Sequence, residues 1–111
     1  MTGSEQKQAG AFYDRTNLGK MKDLAALAPE AINACVACDR AAVADGAIPR
    51  TYKELIALGV ACTTQCPHRI ELRTNSARTL GASEPELAET VLVAAALPAG
   101  GAITHGTHAL K

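Results

Sequence analysis

Proline and glycine punctuate this chain so regularly that it has little choice but to be helical. Pro29, Pro67 and Pro85 each stand at the head of an alanine-rich run. In a first helical turn the missing proline N–H costs nothing, because that N–H has no intrahelical partner. Gly46 and Gly81 follow such runs, where a left-handed residue closes a helix. Thr51 with Glu54, and Ser83 with Glu86, match the S/T-x-x-E capping box. The helices so delimited are "NLGKMKDLAALA", "PEAINACVACDRAAVAD", "TYKELIALGVACTT", Pro67 to Leu80 and "PELAETVLVAAAL". Pro98 and the Gly100-Gly101 pair are expected to interrupt the pattern before a last segment, "AITHGTHAL". Ile32, Cys35, Val36, Ala42 and Val43 recur at helical spacing, and no strand alternation competes. The sequence predicts an all-α domain of about six helices over residues 16–111. Residues 1–15 read as a disordered lead-in.

Hydrophobic residues make up 48% of the 111, yet only 3% are aromatic. Alanine buries little area, at roughly 25 cal/mol per Å², so a core of this composition is thin for a monomer and a homo-oligomer is expected. Eleven basic and eleven acidic residues cancel, which argues against a nucleic-acid or anionic-membrane footprint. Runs such as "VLVAAAL" read as too short to cross a bilayer. The polar "MTGSEQKQAG" offers no signal-peptide core, so a cytoplasmic location is expected. In a reducing compartment the four cysteines read as thiols, ligands or core residues rather than disulfides.

The stretch "QCPHRIELR", Gln65 to Arg73, carries the chemistry. A cysteine precedes a proline and a helical run, as where a thiol opens a redox helix. Together "YKELIALGVACTTQCP", "ARTLGASEPELAETVLVAAAL" and "THGTHAL" resemble the carboxymuconolactone decarboxylase and alkylhydroperoxidase D-like family, over roughly residues 20–110. The resemblance implies that helical fold, a trimeric or hexameric assembly and an antioxidant, thiol-dependent peroxide reduction without a cofactor, fed by a dithiol reductant. The redox branch of the family carries a glutamate, eleven residues, then Cys-x-x-Cys-x-x-x-His. Glu54 and Cys66 occupy the first two positions, but Arg69 replaces the second cysteine and Arg73 the histidine.

Half of the working set is therefore exchanged. Reducing a peroxide with a dithiol needs one sulfur to attack oxygen and a second to resolve the sulfenic acid. Arginine stays protonated and cannot replace the histidine as a base. It can stabilise a thiolate at Cys66, or pair with Glu54. Peroxidase turnover is accordingly expected near background, with Cys66 alkylating faster than the other thiols. The candidate catalytic residues are Glu54, Cys66 and His68, with Arg69 and Arg73 as anion-binding residues.

Two other functions fit the same residues. One is a non-catalytic oligomeric scaffold that binds a small anion or metal. The other is a lactone decarboxylase-like lyase, in which His68 acts as general acid or base and the two arginines hold a carboxylate. Cys35, Cys38 and Cys62 could join Cys66 and His68 around a soft metal. Their spacing lacks the turn of a zinc knuckle, so the preferred reading makes the three small core residues, with no metal. His105 and His108 read as packing or subunit-contact residues.

Overall fold

The computed structural model describes residues 15–110. The expected disordered lead-in, residues 1–15, lies outside the described residues except for Arg15. Within them the chain is all helical. A 3-10 helix, Arg15–Lys20, leads into α1 (Met21–Leu27) and α2 (Pro29–Val43), followed by α3 (Arg50–Thr64), α4 (Pro67–Thr79) and α5 (Glu84–Gly106). A short 3-10 turn, Thr107–Ala109, follows α5. Five α-helices thus stand among the described residues, where about six were expected, because α5 runs unbroken through Pro98. Pro98 removes one N–H from the ladder without ending the helix.

The chain divides into two compact units, one ending at Ala44 and the other beginning at Asp45. In the first, α1 packs against α2, and neither helix has a buried residue. Pro29 occupies the first turn of α2 as expected. Gly46 does not take the left-handed cap: α2 ends at Val43 and Ala44 is already extended, with φ −67° and ψ 154°. The reversal is left to Asp45, whose Oδ1 accepts from the Arg50 N–H at 2.7 Å.

That bond also replaces an expected cap. α3 begins one residue before Thr51, with Pro49 at its N-cap and no side-chain capping bond. The Thr51–Glu54 capping box does not form, because Glu54 turns inward. By contrast the Ser83–Glu86 box is complete. The Ser83 N–H donates to Glu86 Oε1 at 2.8 Å and the Glu86 N–H to Ser83 Oγ at 3.2 Å. Gly81 is left-handed at φ 97° and closes α4. Exposed Arg78 and Glu84 tie that turn together through a two-pronged pair at 2.9 and 3.2 Å.

The second unit has a small core. Leu58, Ala77 and Leu87 are buried at its centre, with Leu55, Cys62, Ile70 and Ala82 packed around them. α3 is the hub, packing on both α4 and α5. Glu54, Leu58 and Ala61, at helical spacing, form its inward stripe. Much of α5 remains uncovered, with Leu92, Val93, Leu97 and Ile103 each 60% or more exposed. The Glu84–Ala109 stretch is long and apolar enough, by length and composition, to cross a bilayer, with an 18-residue window of mean hydropathy 1.5. The sequence reading missed this because it cut the run at Pro98.

Candidate functional site

Residue chemistry at the end of α3 makes the abrupt turn that presents Cys66. Gln65 adopts the left-handed conformation, φ 56° and ψ 44°, unusual for a residue with a side chain. Both its N–H and that of Cys66 donate to the Ala61 carbonyl, the latter at 3.3 Å. This closes the helix in the manner of a Schellman motif. Thr63 and Thr64 donate their hydroxyls to the carbonyls of Val60 and Ala61, at 2.7 and 3.2 Å. "TTQCP" is thus a helix stop built from side-chain and backbone donors, and Pro67 restarts the chain as α4.

Cys66 is the N-cap of α4, half-buried, with φ −100° and ψ 103°. Its carbonyl accepts the first helical bond, from the Ile70 N–H at 3.0 Å. His68 lies in the first turn, half-buried rather than on a solvated face, and its Nδ1 is shielded from solvent.

Two turns into α4, Arg73 points inward. It is 7% exposed and faces Glu54, which is 1% exposed. Arg73 Nη1 donates to both carboxylate oxygens, at 3.3 and 3.4 Å. One nitrogen bridging two oxygens is a forked contact, longer than the ~2.7–2.9 Å of a strong charge-assisted bond. A second cation flanks the carboxylate: Arg50 Nε lies 3.8 Å from Glu54 Oε1, with its side chain half exposed. The sequence reading missed Arg50, although its i,i+4 spacing to Glu54 was the available signal.

The candidate residues therefore separate into two environments. Glu54 and Arg73 meet in the core of the second unit, while Arg69, one turn before Arg73, is exposed. The two arginines do not share one solvent-facing carboxylate cradle, since Arg73 is engaged below the surface. The thiols separate as well. Cys62 packs against the core, as the small-hydrophobe reading requires. Cys35 and Cys38 are exposed, which corrects that reading for both: α2 has no buried face to receive them. Among the described residues no three His, Cys, Asp or Glu side chains gather as a metal site would require. The rings of His105 and His108 are tilted by 37° to each other, with centroids 6.2 Å apart.

Apart from these residues, an open apolar groove of about 640 Å³ runs between α3 and α5. Ile56, Val60, Val93 and Leu97 line it, with Glu86 and Glu89 toward one end. Gly59 lies on its floor, where an added Cβ would sit 3.7 Å from Thr90.

Comparison with known proteins gives a family and two similar proteins. The sequence profile of the carboxymuconolactone decarboxylase family matches residues 29–111. A Paracoccus denitrificans protein described as "Uncharacterized protein 4 in cox locus" is 41% identical over 78 residues, 70% of each chain. Among solved structures, the apo form of a carboxymuconolactone decarboxylase family protein from Legionella pneumophila superposes with a TM-score of 0.71. It is 28% identical, and the match covers 86% of each chain.

Proposed function

Because the chain belongs to the carboxymuconolactone decarboxylase family, we propose that it is a slow, thiol-dependent hydroperoxide reductase centred on Cys66. The observation that carries this reading is the placement of Cys66 at the N-cap of a 13-residue helix. There the positive end of the α4 dipole favours the charge that builds on sulfur as it attacks. The family's proton path is what this chain lacks. Glu54 is held by Arg73 and flanked by Arg50, so no base pairs with it as the family's histidine would. Turnover is limited by that loss, and a dithiol reductant supplies the electrons.

A second reading is favoured by the same ion pair. A buried Glu–Arg contact is a structural element, and a chain that exchanges its relay for one is suited to act as a scaffold without turnover. In both readings the molecule assembles with copies of itself, as a trimer or hexamer. The exposed apolar face of α5 and the groove beside it support this assembly, since exposed patches of that kind mark contact surfaces.

Peroxide loss under excess dithiol separates the two readings. Slow, saturable loss that disappears in Cys66→Ser supports the reductase. Equal background rates in wild type and Cys66→Ser leave the scaffold. Arg69→Cys with Arg73→His restores a resolving thiol and a titratable partner for Glu54. The double variant should exceed the product of the two single effects, because residues acting as one unit are non-additive.

A further inference from the structure

We propose that Cys62 resolves the oxidised form of Cys66, taking over the role lost at Arg69; the inference rests on the reductase reading. The unit from Asp45 onward contains only two cysteines, Cys62 and Cys66. Both are half-buried, and the α3 stop brings their backbones together. Cys62 lies in the last turn of α3, next to Ala61, whose carbonyl receives the Cys66 N–H at 3.3 Å. Left-handed Gln65 and extended Cys66 turn the chain back against the last turn of α3 instead of continuing its helix. A disulfide needs Cβ atoms about 3.5–4.5 Å apart, so the end of α3 and the Gln65–Cys66 turn must close to that reach. The pair sits where that is cheapest, at a helix terminus already closed by left-handed Gln65 rather than within a rigid helix.

The chemistry balances with a hydroperoxide as oxidant and a dithiol as reductant. The Cys66 sulfur attacks the terminal oxygen of ROOH and the O–O bond breaks. The alkoxide leaves as ROH with the thiol proton, and Cys66 becomes the sulfenic acid. The Cys62 sulfur then attacks the Cys66 sulfur. The S–O bond breaks, hydroxide leaves as water with the Cys62 proton, and the S–S bond forms. Two electrons from the dithiol return both thiols and release the dithiol as its own disulfide.

Trypsin cleaves after Lys53 and Arg69, so Cys62 and Cys66 fall on one peptide, Glu54 to Arg69, apart from Cys35 and Cys38. The wild-type protein is treated with one equivalent of an organic hydroperoxide, blocked with an alkylating agent and digested without reduction. We expect that peptide to lose two hydrogens and to carry no alkyl label. In Cys62→Ser we expect Cys66 to stall as a sulfenic acid, trapped by a 1,3-diketone probe, and dithiol-dependent turnover to fall below wild type. A Cys66 disulfide to Cys35 or Cys38, or full turnover in Cys62→Ser, overturns the role of Cys62 while leaving the reductase reading intact. If Cys66 is unmodified by hydroperoxide in wild type and in Cys62→Ser alike, the reductase reading fails and this inference with it.

Discussion

Replacing Arg73 by methionine tests whether the buried ion pair is a support of the fold. The substitution keeps an unbranched chain and deletes the guanidinium, leaving Glu54 1% exposed with Arg50 at 3.8 Å as its remaining neighbouring cation. Removing one member of a buried pair costs about 3–5 kcal/mol, because the other charge stays desolvated. Two features of the structure place this case at the low end. The Nη1 contacts are long, at 3.3 and 3.4 Å, and Arg50 can swing closer. We therefore expect a loss of about 3 kcal/mol. At roughly 4–8 °C per kcal/mol for a domain of this size, the midpoint should fall by at least about 12 °C. Glu54→Leu should cost a similar amount by removing the carboxylate that Arg73 Nη1 meets. The double variant Glu54→Leu/Arg73→Met should cost about 1 kcal/mol or less, since apolar residues of similar volume replace buried pairs with little loss. Urea unfolding followed by far-UV circular dichroism measures all four, at one protomer concentration because assembly shifts apparent stability. A loss below about 1 kcal/mol in Arg73→Met would refute the reasoning. So would a double variant as damaged as the sum of the singles.

Three further outcomes are expected. Light scattering on a size-exclusion column should give a mass several times 11.5 kDa; a monomer at micromolar concentration, or protein recovered only with detergent, would mean that the apolar face of α5 is covered by something other than a second copy. Gly101→Ala should stabilise the protein by up to about 1 kcal/mol, because an added Cβ meets nothing within 4 Å and the residue lies inside α5; no gain would place a break there after all. The Ser83 backbone N–H, and then its hydroxyl, hold the Glu86 carboxyl below its ordinary value of 4.5. That contribution is complete above 4.5 and is lost as pH falls through the lowered folded value, so Glu86→Gln should flatten the acid limb of the stability curve, and an unchanged limb would contradict the assignment.

Local backbone chemistry was the legible part of this sequence. Pro29, Pro67 and Pro85 do open helices, Gly81 does take a positive φ, and the Ser83–Glu86 box forms as written. Each of these is decided within one helical turn. Thr51–Glu54 has the same four-residue pattern, yet its glutamate is claimed by an arginine nineteen residues away. A pattern cannot reveal such competition, because the burial of Glu54 depends on how α3 and α4 pack. Pro98 misled because the cost of a proline in a helix is local, and α5 continues past it all the same. The exposure of Cys35 and Cys38 was hidden because cysteine content says nothing about which helix faces find cover. At the site, the resemblance implied that Arg69 and Arg73 stand where the redox branch carries a cysteine and a histidine, but not that only Arg73 would turn inward.

The Glu54–Arg73 contact also constrains how this lineage can change. Natural domains hold a net stability of only about 5–15 kcal/mol, so a step that costs about 3 kcal/mol spends a large share of it. Neither residue can be exchanged alone without crossing that valley, even if both together could be exchanged at little cost. The pair therefore works as a ratchet on descent. Once a glutamate and an arginine face each other in the core, single-step exchange of the arginine for a titratable partner is selected against. Variation is then expected to be tolerated more readily at exposed Arg69 than at position 73, where a change must arrive together with its partner.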